Sequence, residues 1–233
     1  MSTSRRSPVI WAPAFASSSA QKRLYLLQQF DLENTNYNIS ALFEIEGNLN
    51  IEKVEEVFKQ LIKRHESLRT SFKRVDEDIV QKISDQVNFE LDIIETKDVD
   101  KAAGNFIRPF DLSKAPLFRV GIIRASDKKI LIFDMHHIIS DGTSMGLIID
   151  EFAYLYQDRK LEELDIQYKD FAHWQNNLLE SKYMEEQEKY WLDKFDGQIP
   201  VLDLPTDYPR TNVRSFEGNE IKYNLGQELT GRI

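Results

Sequence analysis

The sequence predicts a fold of the α+β class, in which a mixed β-sheet is flanked by helices. Short apolar runs rich in β-branched residues, such as 129–133, have the length and composition of buried strands. Apolar residues recur with helical spacing in segments 51–62 and 145–156, which predicts amphipathic helices. Turn-forming residues, such as Gly47-Asn48, separate these segments.

The predicted elements alternate along the chain. A serine run at 17–19 marks the start of the first helix, Asn50 is placed to cap the second, and the acidic residues 76–78 form a hairpin tip. The predicted helices cover residues 18–28, 51–62, 99–106, 145–156, 168–178 and 181–195. The predicted strands cover residues 39–45, 68–72, 79–83, 89–94, 117–123, 129–133 and 215–225.

Composition bounds the class of protein. The chain has 233 residues, of which 41% are hydrophobic, enough for a sizeable core in one large domain or a domain with an extension. A net charge of −9 argues against a nucleic-acid-binding protein. The absence of cysteine excludes a disulfide framework and a thiol nucleophile, and we expect a cytoplasmic location. No apolar run approaches the roughly 20 residues of a membrane span.

The ends of the chain differ from its middle. Residues 1–16 have no signal-peptide pattern, and we expect a disordered leader. Residues 17–225 are expected to form one lobe, which includes a proline-containing extended linker at 197–214. Residues 226–233 read as the opening of a further element, so we expect sequence beyond Ile233.

The chemistry is concentrated between the strand 129–133 and the helix that follows it. If the strand continues through His136 and His137, the two rings point to opposite faces, one into the core and the other into a cleft. A neutral imidazole there can take a proton from an amine or hydroxyl nucleophile. Asp141 can cap the helix or pair with a cation, and the Gly142 N–H suits a developing negative charge.

Other interpretations of these histidines remain open. Both rings can be satisfied structural residues. A zinc site would need more ligands, but the chain has no cysteine and only His65 and His173 as further imidazoles, so we expect no metal. A hydrolytic triad is disfavoured because the chain has no Gly-x-Ser-x-Gly elbow.

Two arginines, Arg64 and Arg69, stand at the junction between the second helix and the next strand. They can hold a carboxylate such as Asp141. Alternatively, they form an exposed basic helix end that interacts with the helix dipole.

Four stretches in series resemble the signatures of the condensation domain of a non-ribosomal peptide synthetase. The resemblance covers residues 17 to 225, and the first stretch resembles the subtype that joins an L-configured donor to an L-configured acceptor. The signatures are Ser18-x-Ala20-Gln21-x-Arg23-Leu24-Tyr25-x-Leu27, Arg64-His65-Glu66-x-Leu68-Arg69-Thr70-x-Phe72, Met135-His136-His137-x-Ile139-Ser140-Asp141-Gly142-x-Ser144 and Tyr168-x-Asp170-Phe171-Ala172-x-Trp174.

The resemblance implies an α/β sandwich similar to chloramphenicol acetyltransferase and other coenzyme-A-dependent acyltransferases, with two lobes around a tunnel. Donor and acceptor each arrive as a thioester on the phosphopantetheine arm of a carrier domain. The acceptor amine attacks the donor thioester to form a peptide bond. The chain itself is expected to bind no cofactor.

The resemblance also assigns roles to individual residues. His137 is the catalytic or amine-positioning residue, and His136 is structural. Asp141 holds the turn through Arg64, so its loss would remove a buried ion pair and cost on the order of 3–5 kcal/mol of stability. The remaining expected site residues are Gly142, whose N–H orients the thioester carbonyl, Ser144 in the same signature, Arg69 near Arg64, and Trp191 as a structural aromatic.

The signatures of a second, C-terminal lobe are absent from the sequence. We therefore expect an N-terminal lobe that is inactive alone and that needs the missing lobe, carrier domains and an adjacent adenylation domain as partners. One alternative is a free-standing acyltransferase of the same superfamily, completed by a second copy. The other is a non-catalytic module that docks carrier proteins.

Overall fold

The computed structural model describes residues 14–125, 128–209, 221 and 223–232. The chain divides between Asp193 and Lys194 into two compact units. The described strands are β1 (Ala14–Ala16), β2 (Asn38–Ile45), β3 (Thr70–Val75), β4 (Asp78–Ile83), β5 (Asp92–Glu95), β6 (Phe118–Ala125) and β7 (Lys128–His136). The described α-helices are α1 (Ser19–Phe30), α2 (Ile51–Arg64), α3 (Val99–Phe106), α4 (Gly142–Tyr156), α5 (Tyr168–Leu179), α6 (Lys182–Lys194) and α7 (Gln227–Thr230), and a 3-10 helix (Glu66–Arg69) follows α2.

In the described residues the strands form two sheets. The smaller sheet has the antiparallel order β1-β4-β3, and the larger has the order β2-β7-β6-β5. Only the β5–β6 pair of the larger sheet is parallel, so that sheet is mixed as predicted. Residues 130–136 of the central strand β7 are all buried, which requires cover on both faces of the sheet. The predicted α+β class is confirmed.

Helices cover the two faces of the larger sheet. On one face, Phe58 of α2 lies 5.4 Å from Phe133 of β7 and 5.0 Å from Phe152 of α4, measured between ring centroids. On the other face, Phe106 of α3 packs in a cluster with Ile132 of β7. Because side chains alternate along a strand, Asp134 lies on the α3 face together with Ile132. The central strand β7, covered by helices on both faces, therefore ends at the histidine pair.

A buried ion pair anchors the loop after α3 to this sheet. The Asp134 carboxylate is fully buried and lies 2.7 Å from Nη1 of Arg119, and Asn38 and Ser40 also donate to it. Arg119 further donates to the main-chain carbonyl of Pro109 at 2.7 Å. Burial raises the pKa of Asp134 and lowers the pKa of Arg119, although each group opposes the shift of the other.

The predicted leader ends earlier than the sequence indicated. Residues 14–16 form β1, which pairs with β4 of the smaller sheet and places Ala14 opposite Lys82. A three-residue strand with no periodic apolar pattern gives no local signal, since its position depends on its partner strand. The leader prediction was therefore wrong for residues 14–16, and residues 1–13 lie outside the described residues.

Several element boundaries differ from the prediction. The strand predicted at 68–72 begins at Thr70, because Glu66–Arg69 form a 3-10 helix. The strand predicted at 89–94 begins only at Asp92, because Phe89 and Leu91 are buried in the core without joining the sheet. The helix predicted from Met145 begins at Gly142. The predicted strand 215–225 falls largely outside the described residues, as do residues 126 and 127 of a predicted turn.

The second unit is described by itself. Its described residues 198–209 form neither helix nor strand. The extended linker predicted at 197–214 stays a prediction, and its residues 210–214 are not described. The assignment of 17–225 to one lobe stays a prediction. Within the described part of the chain, no helix combines the length and the apolar character needed to cross a bilayer.

Gly121 of β6 tests the packing under α3. A Cβ at this position would lie 2.9 Å from Cε2 of Phe106 and 3.2 Å from both the Asp92 carbonyl oxygen and Cγ2 of Ile132. We expect Gly121→Ala to lower the free energy of unfolding by about 1–3 kcal/mol, because the core must shift to admit the methyl group. Gly104→Ala in α3 is the control, because its Cβ would enter open space and alanine favours a helix. Urea unfolding measures both variants, and equal stability of Gly121→Ala and the wild type would contradict the packing.

Candidate active site

The histidine turn joins β7 to α4. The strand ends at His136, and residues 137–141 lead into the helix. Its backbone is tied to two neighbouring segments, since the His136 N–H donates to the Leu117 carbonyl at 2.9 Å and the His137 N–H donates to the Tyr37 carbonyl at 2.7 Å. Because the strand stops between the two histidines, the second ring leaves the sheet.

His136 is a fully buried, neutral side chain. The Ile138 N–H donates to Nδ1 of His136 at 3.0 Å, so this nitrogen carries no proton. The proton of the neutral ring is therefore on Nε2, which lies 3.2 Å from Oε1 of Gln28 and donates to it. Burial, and to a smaller extent the neighbouring His137, lowers the pKa of His136 to about 4. The ring has no surface to offer a substrate.

His137 is exposed and lines a cleft of about 450 Å³. The expected division of the pair, one ring in the core and one at a cleft, is what the structure shows. The cleft receives side chains from all four signatures. They include Gln21 and Arg23 from the first, Glu66 and Thr70 from the second, His137, Asp141 and Ser144 from the third, and Tyr168 from the fourth.

The signatures also contact one another beside this cleft. The Ser18 hydroxyl lies 2.9 Å from the Tyr168 hydroxyl, which joins the first signature to the fourth. Lys169 Nζ lies 2.7 Å from the Glu66 carboxylate, which joins the second to the fourth. The Glu66 N–H also donates at 3.1 Å to Oε1 of Gln167, the residue before the fourth signature. Segments distant in sequence thus build one surface around His137.

Asp141 caps the helix that follows the turn. Its Oδ1 accepts hydrogen bonds from the Ser144 N–H at 2.8 Å and from the Ser144 hydroxyl at 2.7 Å. These bonds lower the pKa of Asp141, and the carboxylate is exposed. Gly142 is the first residue of α4, so its N–H belongs to the electropositive end of the helix.

The predicted ion pair between Asp141 and Arg64 is wrong. Arg64 Nε instead donates to Oε1 of Glu151 at 3.1 Å, and His65 Nε2 lies 2.6 Å from Oε2 of the same carboxylate. Glu151 is buried on the inner face of α4, where an acid needs nearby cations to compensate its lost hydration. Asp141 needs no such partner, because it is exposed and already accepts two hydrogen bonds.

Arg69 also contacts groups other than Asp141. Its Nη1 donates to the Ser84 carbonyl at 2.8 Å, and its Nη2 lies 3.8 Å from Glu66. The alternative of an exposed basic helix end is wrong for both arginines, because their side chains are only 17% (Arg64) and 16% (Arg69) exposed.

Trp191 lies on α6 and is 56% exposed. Its ring contacts the Tyr190 ring edge-on, with centroids 5.4 Å apart. It is not among the described residues that line the cleft around His137. Its role as a structural aromatic stays a prediction.

Sequence analysis missed the roles of Gln28 and Glu151. Both are polar residues on helix faces that are otherwise apolar or buried, which was the available signal: Glu151 lies between Ile148 and Phe152 on the apolar stripe of α4. A polar residue in such a stripe must find a partner. The described residues contain no group of three or more His, Asp or Glu side chains placed to hold a metal ion.

Comparison with known proteins decides the family. Residues 14–233 match the family described as Condensation domain. The chain belongs to this family. It is 49% identical over 220 residues to a plipastatin synthase of Bacillus subtilis (strain 168), and 44% identical over 229 residues to tyrocidine synthase 3 of Brevibacillus parabrevis. The matches cover 93% and 97% of this chain but only 9% and 4% of those synthases.

Solved structures of condensation domains share the fold. The starter condensation domain of rhizomide synthetase RzmA matches with a TM-score of 0.69 at 23% identity, over 79% of this chain and 48% of that one. The X-domain complex with OxyB from teicoplanin biosynthesis matches with a TM-score of 0.75 at 22% identity, over 89% of this chain and 50% of that one. The predicted acyltransferase-like fold is confirmed, and the chain spans about half of these solved chains.

Two carboxylates of this condensation-domain lobe should differ in their effect on stability. Glu151→Ala leaves the partly buried Arg64 and His65 side chains without the carboxylate that they contact, so we expect it to lower the free energy of unfolding by about 3–5 kcal/mol. Asp141→Ala removes only a helix cap, so we expect a loss of about 1 kcal/mol. Urea unfolding of the two variants checks this order. A larger loss for Asp141→Ala would reinstate the ion pair predicted from the sequence.

Acid should destabilise the lobe through His136. In the unfolded chain this histidine binds a proton as the pH falls below its pKa of 6.5. In the folded protein His136 binds the proton only when the pH falls to its lowered pKa of about 4. Stability is therefore lost as the pH falls from 6.5 to about 4, by up to about 3 kcal/mol from this group. Unfolding free energies at the two ends of this range measure the loss. A matched series with His136→Gln should lose less, and an equal loss in both proteins would contradict a buried neutral ring.

Proposed function

We propose that this chain is the N-terminal lobe of a condensation domain that forms peptide bonds in non-ribosomal peptide synthesis. The observation that carries the proposal is the exposed His137 ring at a cleft walled by four family signatures, beside a fully paired, neutral His136. Membership of the family supports the reaction class. The L-donor, L-acceptor subtype and a cytoplasmic location are parts of the same proposal.

In the proposed reaction the acceptor amine attacks the carbonyl carbon of the donor thioester. A C–N bond forms and the C–S bond breaks, the amine nitrogen loses a proton, and the departing thiolate gains one. His137 is placed to accept the amine proton or to hold the amine by a hydrogen bond. The negative charge that develops on the thioester oxygen faces the N-terminal end of α4, where the Gly142 N–H can stabilise it.

The substrates are proposed to arrive on the phosphopantetheine arms of two carrier domains, and no step requires a cofactor bound by this chain. The partners are those carriers, a C-terminal lobe that supplies the opposite wall of the tunnel, and an adjacent adenylation domain. The support is that the chain covers 48% of the solved condensation-domain chain of RzmA. We expect no amide formation by this chain alone.

A reconstitution tests this function. This chain is mixed with a matching C-terminal lobe and two carrier domains loaded with aminoacyl thioesters, and mass spectrometry detects a dipeptidyl carrier. We expect product with the wild type and a loss of at least about 100-fold with His137→Ala, whose melting temperature should match the wild type because the ring is exposed. Gln29→Met, at an exposed position of α1, is the control.

The other outcomes separate the alternatives. Product formed by this chain without a second lobe, or acyl transfer from coenzyme A by a homodimer, would favour the free-standing acyltransferase. Carrier binding that survives His137→Ala, with no chemistry in either protein, would indicate a docking module.

A further inference from the structure

We propose that Gln28, a buried glutamine of α1, is a positioning residue that holds His137 in place for the condensation reaction. Gln28 lies one residue beyond the first signature and is 1% exposed. It contacts the histidine turn on one side and the α1–β2 loop on the other. The inference rests on the proposed function where its effect is measured as a change in kcat. The position of the His137 ring is tested separately by NMR.

The first link runs through His136. Oε1 of Gln28 lies 3.2 Å from Nε2 of His136, the nitrogen that carries the proton because Nδ1 accepts the Ile138 N–H. The Gln28 acceptor therefore matches the tautomer that the backbone of the turn requires. Without it, the buried Nε2–H would lose its acceptor in the described structure, and the Nδ1 contact that shapes the turn would lose its support.

The orientation of the Gln28 amide is fixed by its other end. Nε2 of Gln28 lies 3.2 Å from the Asp31 carbonyl oxygen, 3.4 Å from that of Leu32 and 3.2 Å from that of Asn34. An inverted amide would set its oxygen against three carbonyl oxygens and its NH₂ group against the His136 N–H. Only one orientation satisfies both ends.

The second link runs through the loop. Asn34 is three residues before Tyr37, and the Tyr37 carbonyl accepts the His137 N–H at 2.7 Å. Gln28 therefore holds the ring that precedes His137 and the loop that binds the backbone of His137. Displacement of a reacting group by about 1 Å can cost on the order of 100-fold in rate, so these two links are enough to affect catalysis.

A matched pair of variants tests the proposal. Gln28→Met preserves the approximate volume and removes every hydrogen bond of the amide, whereas Gln29→Met makes the same change at the adjacent exposed position. In the reconstituted system we expect Gln28→Met to lower kcat by roughly 10-fold to 100-fold with KM for the loaded acceptor carrier within about twofold. Gln29→Met should leave both constants unchanged. An unchanged kcat in folded Gln28→Met overturns the proposal.

Nitrogen-15 NMR of the histidine rings supplies a readout that does not need turnover. In the wild-type chain we expect His136 as a single Nε2–H tautomer. In Gln28→Met the Nε2 signal of His136 should shift because this nitrogen loses its acceptor, and the ring signals of His137 should shift, with no change in Gln29→Met. Unshifted His137 signals would overturn positioning. If the wild type forms no product, the proposed function fails, and the His137 signals alone decide the geometric inference.

A second variant covers the case in which Gln28→Met does not fold. Gln28→Asn keeps the amide but shortens it by one methylene group, so it cannot reach His136 and the three loop carbonyls together. We expect a folded protein with kcat lowered roughly 10-fold and KM preserved. Wild-type kcat in Gln28→Asn would overturn the proposal.

Discussion

The hydrogen bond from the Ile138 N–H to Nδ1 of the buried His136 ring is the interaction on which the histidine turn depends. It leaves the proton of the neutral ring on Nε2, and it closes the backbone immediately after β7 ends. A protonated His136 would have no free nitrogen to accept this bond. The exposed position of His137 follows from it, because the chain turns out of the sheet at that point. The exposed His137, the candidate catalytic residue, thus depends for its position on His136, which is buried and cannot contact a substrate.

Two buried acids brace this turn from different directions. Asp134 lies on β7 two residues before His136 and, through Arg119, ties the loop after α3 to the sheet. Glu151 lies on α4 and ties that helix to the end of α2 through Arg64. Both acids are enclosed and paired with arginine, while His137 remains exposed. Because the acids are buried, each ion pair is costly to break, and the strand and helix on either side of His137 are therefore held firmly in place.

The family signatures contain residues of two kinds. Ser18 and Gln21 form a reciprocal cap at the start of α1, and Asp141 caps α4, so parts of the first and third signatures specify helix ends. His137 is instead exposed and lines the cleft. A signature residue is therefore not necessarily catalytic.

The sequence by itself determined the α+β class, most helices and strands, and the placement of His137 in a turn between a strand and a helix, because these depend on local periodicity and capping. It failed where the partner of a side chain comes from a distant segment. Arg64 was assigned to Asp141, but the burial of Glu151 redirected it, and burial exists only in the folded chain. The same reason hid β1, which exists through its pairing with β4. Only the tertiary structure decided these partners, because the cost of an unpaired charge or strand depends on what surrounds it.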